Sequence, residues 1–205
     1  MQENNSEQYN KSMKDSNSKQ NSNKGPAGSK WTAQRMTITA LLIAVGLLIP
    51  LISPLKIVLE PASFTLASHV AIFIAMMLDP AIAVVVALGT TLGFFLTFPL
   101  VVALRALSHL VFAIVGSLYL RKYPDTLMSL KKVHIFSFLI AIIHAICEVA
   151  VVFAFYFGGK MAGYSSVNMI LLLIGLGTVV HSMVDFEIAY AIYRPLLKQK
   201  AFTSL

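Results

Sequence analysis

Charge is scarce in this chain. Only 12% of its 205 residues are Asp, Glu, Lys or Arg, against about a quarter in a soluble domain, and 57% are hydrophobic, with a mean hydropathy of +0.76. An ordinary soluble domain is excluded. There is one cysteine, Cys147, so no intramolecular disulfide and no spaced thiolate metal site can hold the fold. No G-x-x-x-x-G-K-[ST] loop is present, since GGKMAG lacks both the spacing and the hydroxyl residue, and no G-x-G-x-x-G follows a strand, so ATP binding by a phosphate loop is not expected. The chain also lacks a G-x-S-x-G elbow, an H-E-x-x-H and any His-x-x-x-His pair on one helix. Neither catalytic residues nor a metal or other cofactor is expected.

What is present is apolar and long. Crossing a hydrocarbon core of about 30 Å takes roughly 20 helical residues. Six stretches qualify, near 34–53, 62–79, 80–97, 100–120, 133–157 and 167–193, with Pro54, Pro61, Pro80, Pro99 and Pro195 near their ends and Pro50 inside the first. Residues 1–30 contain no Ile, Leu, Val or Phe and cannot offset the entropy of ordering. Three regions follow: a disordered tail over 1–33, a transmembrane domain over 34–195 and a short basic tail over 196–205.

The basic residues sort by side. Lys11, Lys14, Lys19, Lys24, Lys30 and Arg35 share one side with Arg121, Lys122, Lys131 and Lys132 and with Arg194, Lys198 and Lys200, whereas the opposite loops hold Lys56 and Lys160. That asymmetry predicts an all-α membrane protein, a bundle of six transmembrane helices with both termini cytoplasmic. The net charge of +7 then reports topology and contact with anionic lipid, not nucleic acid.

A charge at the centre of a span costs on the order of 3 kcal/mol on insertion scales, so the exceptions carry information. Arg105 and His109, His144 and Glu148, and His181 and Asp185 are each four apart on one span, which places each pair on one helix face. Counting inward at about 1.5 Å per residue matches Arg105 with Glu148 in the outer half, puts His69, His109, His144 and His181 near mid-membrane, and sets Asp185 deeper. A polar cavity open to the outside is expected. The plainer alternative is that Arg105 and Glu148 neutralise each other while the histidines bond backbone, Ser and Thr across helices. Two small-residue ridges, Ala40 with Ala44 and Gly89 with Gly93, permit close helix approach, and Met76, Met77, Phe94, Phe95 and Phe98 read as core or lipid contacts.

The run RMTITALLIAVG, the run LEPASFTLASHVAIFIAMMLDPAIAVVVALGTTLGFF and LRALSHLVFAIVGSLY, within six spans and without an ATPase motif, resemble the substrate-binding S components of energy-coupling factor vitamin transporters, most of all the niacin branch. The resemblance covers about residues 34–195. It implies a multi-pass subunit of a bacterial plasma membrane that captures a vitamin from outside. Its partners would be a transmembrane coupling subunit, docked on the ridge of Ala40 and Ala44, and two ATPase subunits that carry out the hydrolysis. It also implies a capping loop from Pro54 to Ala62, containing Lys56 and Glu60.

Nicotinate suits the polar set: Arg105 offers charge-assisted donors to a carboxylate, and His109, His144 or His181, with His69 and Glu148 nearby, can meet the pyridine nitrogen. Pantothenate would also suit Arg105. Two further classes stay open: an intramembrane enzyme using His and Glu, with Ser68 beside His69, and a self-sufficient proton-coupled transporter with His181 and Asp185 as relay.

Overall fold

The computed structural model describes residues 31–59, 62–159 and 166–196. Of the expected tails over 1–33 and 196–205, residues 1–30 and 197–205 lie outside the described residues, as do Glu60, Pro61 and Lys160. Helix α1 spans Ala33–Ile52, followed by an antiparallel hairpin of β1, Lys56–Leu59, and β2, Ala62–Thr65. Then come α2, Val70–Leu78, α3, Pro80–Thr97, and α4, Leu100–Lys122. A 3-10 turn at Pro124–Met128 leads into α5, Leu130–Phe157, and the last helix, α6, runs over Val167–Leu196 with a π-helical stretch at Leu171–Leu176. All of these helices but α2 are long and apolar enough to cross a membrane, five among the described residues.

Five of the six expected spans are found as helices within a few residues of their expected ends. The second is different. Residues 62–65 are extended, and helix begins only at Val70, giving nine residues in place of a full span. Flanking prolines at 54 and 61, together with Ser63, Thr65 and Ser68, favour extended and turn backbone that a count of apolar residues does not separate from helix. Irregular backbone is tolerated within a membrane domain only where its polar groups find partners. Here a carboxylate from α6 supplies them: Asp185 Oδ1 accepts from the Ala67 N–H at 2.7 Å, and its Oδ2 accepts from the His69 N–H at 2.9 Å. Ala67 sits at φ 67°, a left-handed conformation costing an L-residue about 1–2 kcal/mol, which those bonds help to hold.

Every residue of α2 from Val70 to Met77 is buried, as expected of a helix that is apolar all round. It packs against α1, α3, α4 and α6, and Phe73 meets Phe112 of α4 and Phe186 of α6 at ring separations of 5.3 and 5.4 Å. Large apolar side chains such as Leu92, Leu96, Ile146 and Leu172 point outward instead, as a lipid-facing surface requires.

The two small-residue ridges have different fates. A side-chain carbon on Gly89 would come within 2.6 Å of Ile43 Cδ1, and one on Gly93 would collide with Leu47, so this ridge of α3 is filled by α1. Ala40 and Ala44 lie exposed on α1.

At the α2–α3 joint, Asp79 caps α3 by accepting from the Ala81 N–H at 2.9 Å, with Pro80 at the first helical position, and it pairs with Arg35 Nη2 at 2.7 Å. Asp79→Ala removes a cap worth about 1 kcal/mol and one partner of a largely buried Arg35. The expected result is a lower thermal midpoint in detergent; an unchanged midpoint would show that the cap and the bridge carry no stability.

Candidate functional site

The polar side chains of α4, α5 and α6 converge with the His69 junction into one buried network. Arg105 Nη2 lies 2.8 Å from Glu148 Oε2, and the same oxygen accepts from Thr178 Oγ1 at 2.7 Å. Glu148 Oε1 faces His109 Nε2 at 3.4 Å and His144 Nε2 at 3.5 Å. His144 turns its other nitrogen, Nδ1, to Ser182 Oγ at 3.1 Å. Around Asp185 a second group forms: its Oδ2 lies 3.0 Å from His69 Nδ1 and 3.3 Å from His181 Nε2, while Ser68 Oγ lies 3.1 and 3.2 Å from those same nitrogens. His69 joins the two groups, its ring centroid 4.7, 4.8 and 5.0 Å from those of His109, His144 and His181.

The helical spacing explains the convergence. Residues four apart project from one face, so Arg105 with His109, His144 with Glu148, and His181 with Asp185 each reach inward together. Packing among α4, α5 and α6 brings the three faces edge to edge. Thr178 and Ser182 extend the α6 stripe to 178, 181, 182 and 185, a polar i, i+3, i+4, i+7 pattern that was available in the sequence. Asp185, expected to share a face with His181, does so and also meets His69. Its reach to the junction follows from α2 starting late, which leaves His69 and its backbone donor at the level of the carboxylate.

A cavity of about 100 Å³ opens beside this network. That is several times the about 10–15 Å³ needed to hold one water, so it is room for a small solute. Arg105, His109, Glu148, His69 and Ser68 line its polar side; Phe94, Phe98, Val102 and Ile72 line its apolar side, with Lys56 and Thr65 of the hairpin also on its wall. Phe94 and Phe98 stack with centroids 4.7 Å apart, and Lys56 Nζ stands 5.7 Å from the Phe98 ring. These two rings, expected to be core or lipid contacts, therefore face the cavity, while Phe95 is exposed as that expectation has it. His144 and His181 do not line the cavity and stand behind the residues that do.

Arg105 is buried, and although its Nη2 is engaged, its Nε makes no hydrogen bond among the described residues. A buried donor left unmade costs about 1–3 kcal/mol, more for a charged group, so an acceptor is wanted there. The cluster of Ser68, His and Asp185 does not form a nucleophilic triad. In His69 and in His181 the serine and the aspartate approach the same ring nitrogen, whereas base catalysis needs them on opposite nitrogens of one imidazole.

Five membrane-length helices among the described residues, with a polar-backed cavity inside, define a multi-pass membrane protein. No family model matches the chain, and no solved structure matches it. Among curated proteins it is 42% identical over 175 residues to the niacin transporter NiaX of Lactococcus lactis subsp. cremoris (strain MG1363), spanning 82% of this chain and 77% of the relative. The chain therefore belongs to that niacin transporter family, the niacin branch of the S components that its sequence runs resemble.

Proposed function

We propose that the chain is the high-affinity nicotinate-capturing subunit of an energy-coupling factor importer, with hydrolysis on separate ATPase subunits and a coupling subunit seated on Ala40 and Ala44. The observation that carries the ligand assignment is Arg105: buried on the wall of a small cavity, with Nε lacking a hydrogen bond and the Phe94–Phe98 stack opposite a polar face. The carboxylate of nicotinate pairs with the Arg105 guanidinium, its ring lies against the aromatic pair, and its pyridine nitrogen meets His109. Lys56, already held over the Phe98 ring, adds a second positive charge to the mouth. The basic residues set on one side support a six-helix topology with cytoplasmic termini, so that the hairpin covers the cavity from outside.

Calorimetric titration of the detergent-purified chain tests this. Nicotinate is expected to bind with nanomolar affinity, and nicotinamide, lacking the carboxylate, about 100-fold more weakly, as loss of a charge-assisted hydrogen-bonded pair predicts. Equal affinity for acid and amide would overturn the Arg105 assignment, and binding of pantothenate in preference to both would overturn the niacin assignment.

A further inference from the structure

Three histidines and a carboxylate backing the cavity have the arrangement of a metal centre. We infer that His69, His109, His144 and Glu148 bind one divalent transition cation, with Zn²⁺ the best matched. One ligand atom from each of the four lies within 4.8 Å of the others. The distances from Glu148 Oε1, 3.4 Å to His109 Nε2 and 3.5 Å to His144 Nε2, are long for hydrogen bonds. They are close to the edge of a tetrahedron whose metal–ligand bonds are about 2.0–2.1 Å, since that edge is about 3.3–3.4 Å.

Two independent features support the inference. First, His144 is fully buried and its Nε2, turned toward Glu148, makes no hydrogen bond among the described residues. A neutral imidazole nitrogen in that position is a ligand atom without a ligand. Second, three of the four groups are held from behind, as metal ligands are. Asp185 Oδ2 stands at 3.0 Å from His69 Nδ1, leaving Nε2 for the cation, and Ser182 Oγ stands at 3.1 Å from His144 Nδ1. Arg105 Nη2 and Thr178 Oγ1 occupy Glu148 Oε2 at 2.8 and 2.7 Å, leaving Oε1. The expectation of no metal rested on the absence of paired histidines along one helix. These ligands come from the junction before α2, from α4 and from α5, which no single-helix motif detects.

The cation also bears on ligand charge, a point that rests on the nicotinate reading whereas the site geometry does not. With neutral imidazoles, Arg105 and Lys56 against Glu148 and Asp185 leave the charged groups at and behind the cavity without net charge. A divalent cation makes that sum positive and favours a carboxylate ligand.

The test uses the full chain in detergent, free of any histidine tag, stripped with chelator and titrated with ZnCl₂ by calorimetry, with bound zinc counted by mass spectrometry of the metal. One zinc per chain is expected, with affinity lowered more than 100-fold in His109→Ala and about 10-fold in Ser182→Ala, which removes only the support behind His144. His134→Ala, on the exposed pair with Glu187, is expected to change nothing. Co²⁺ in place of zinc should give the visible absorption of a tetrahedral site. No stoichiometric zinc, or binding indifferent to both His109→Ala and Ser182→Ala in monodisperse protein, would overturn the site. Nicotinate titrated in parallel separates the two readings: zinc bound without nicotinate keeps the metal site and removes the proposed ligand, and nicotinate bound equally well with and without zinc removes the cation's role in ligand capture.

Discussion

Arg105→Ala is expected to lower nicotinate affinity by at least about 100-fold. A charge-assisted hydrogen bond contributes about 1.5–3 kcal/mol, and 1.4 kcal/mol is tenfold, so loss of the guanidinium alone accounts for roughly 10- to 100-fold. The rest comes from what the substitution leaves behind. Glu148 would keep Thr178 and its histidine neighbours but lose its cationic partner, so the cavity would present an uncompensated carboxylate to an anionic ligand. That same loss destabilises the chain, by about 3–5 kcal/mol for a broken buried pair, and a weakened fold could be mistaken for a weakened site. Arg105→Ala combined with Glu148→Gln separates them, because it removes both charges together. Calorimetry and thermal unfolding on both variants give the answer: the double variant is expected to regain thermal stability over Arg105→Ala and still bind nicotinate poorly. Affinity within about twofold of the unaltered chain in either variant would remove Arg105 from the site.

The pairing of Arg105 with Glu148 was legible in the sequence because intramembrane charge is expensive and therefore sparse. Three i, i+4 pairs on three spans had few places to go except toward each other. His69 could be placed in the same layer, but its function as the link between two clusters could not, since that depends on where α2 begins. Residues 56–69 carry Lys56, Glu60, Ser63, Thr65, Ser68 and His69 among their apolar residues whereas 70–78 carry no polar residue, but a span counted over 62–79 averages that step away, and the backbone at the break is held by Asp185, 118 residues away from Ala67 in the chain. Small hydroxyl residues were missed for a related reason. Thr178 and Ser182 cost little in an apolar span and attract no notice singly, yet one caps Glu148 and the other orients His144. The glycine ridge at 89 and 93 and the alanine ridge at 40 and 44 look alike in sequence. Only packing separates them, with Ile43 and Leu47 filling the first and no described side chain covering the second enough to bury it.

That difference predicts the behaviour of Ala40→Trp with Ala44→Trp. Both alanines are exposed on α1 in a strip with Leu41 and Leu48, which are 60% and 50% exposed, so the added rings meet lipid and not the core of the chain. Cavity residues of α1 lie elsewhere on the helix, at Gly46 and Pro50, which are buried. Nicotinate binding by the isolated subunit should therefore stay within about twofold of the unaltered chain. On the proposed importer assembly, uptake should fall to background in membranes that also contain its coupling subunit and ATPases. A small-xxx-small surface permits backbones to approach closely and part again without unlocking interdigitated side chains, and two indoles at successive turns hold a partner helix away by their bulk. Transport at full rate by the double variant would move the coupling surface to another face; loss of ligand binding together with transport would mean that α1 carries the site itself and that its exposed ridge is structural.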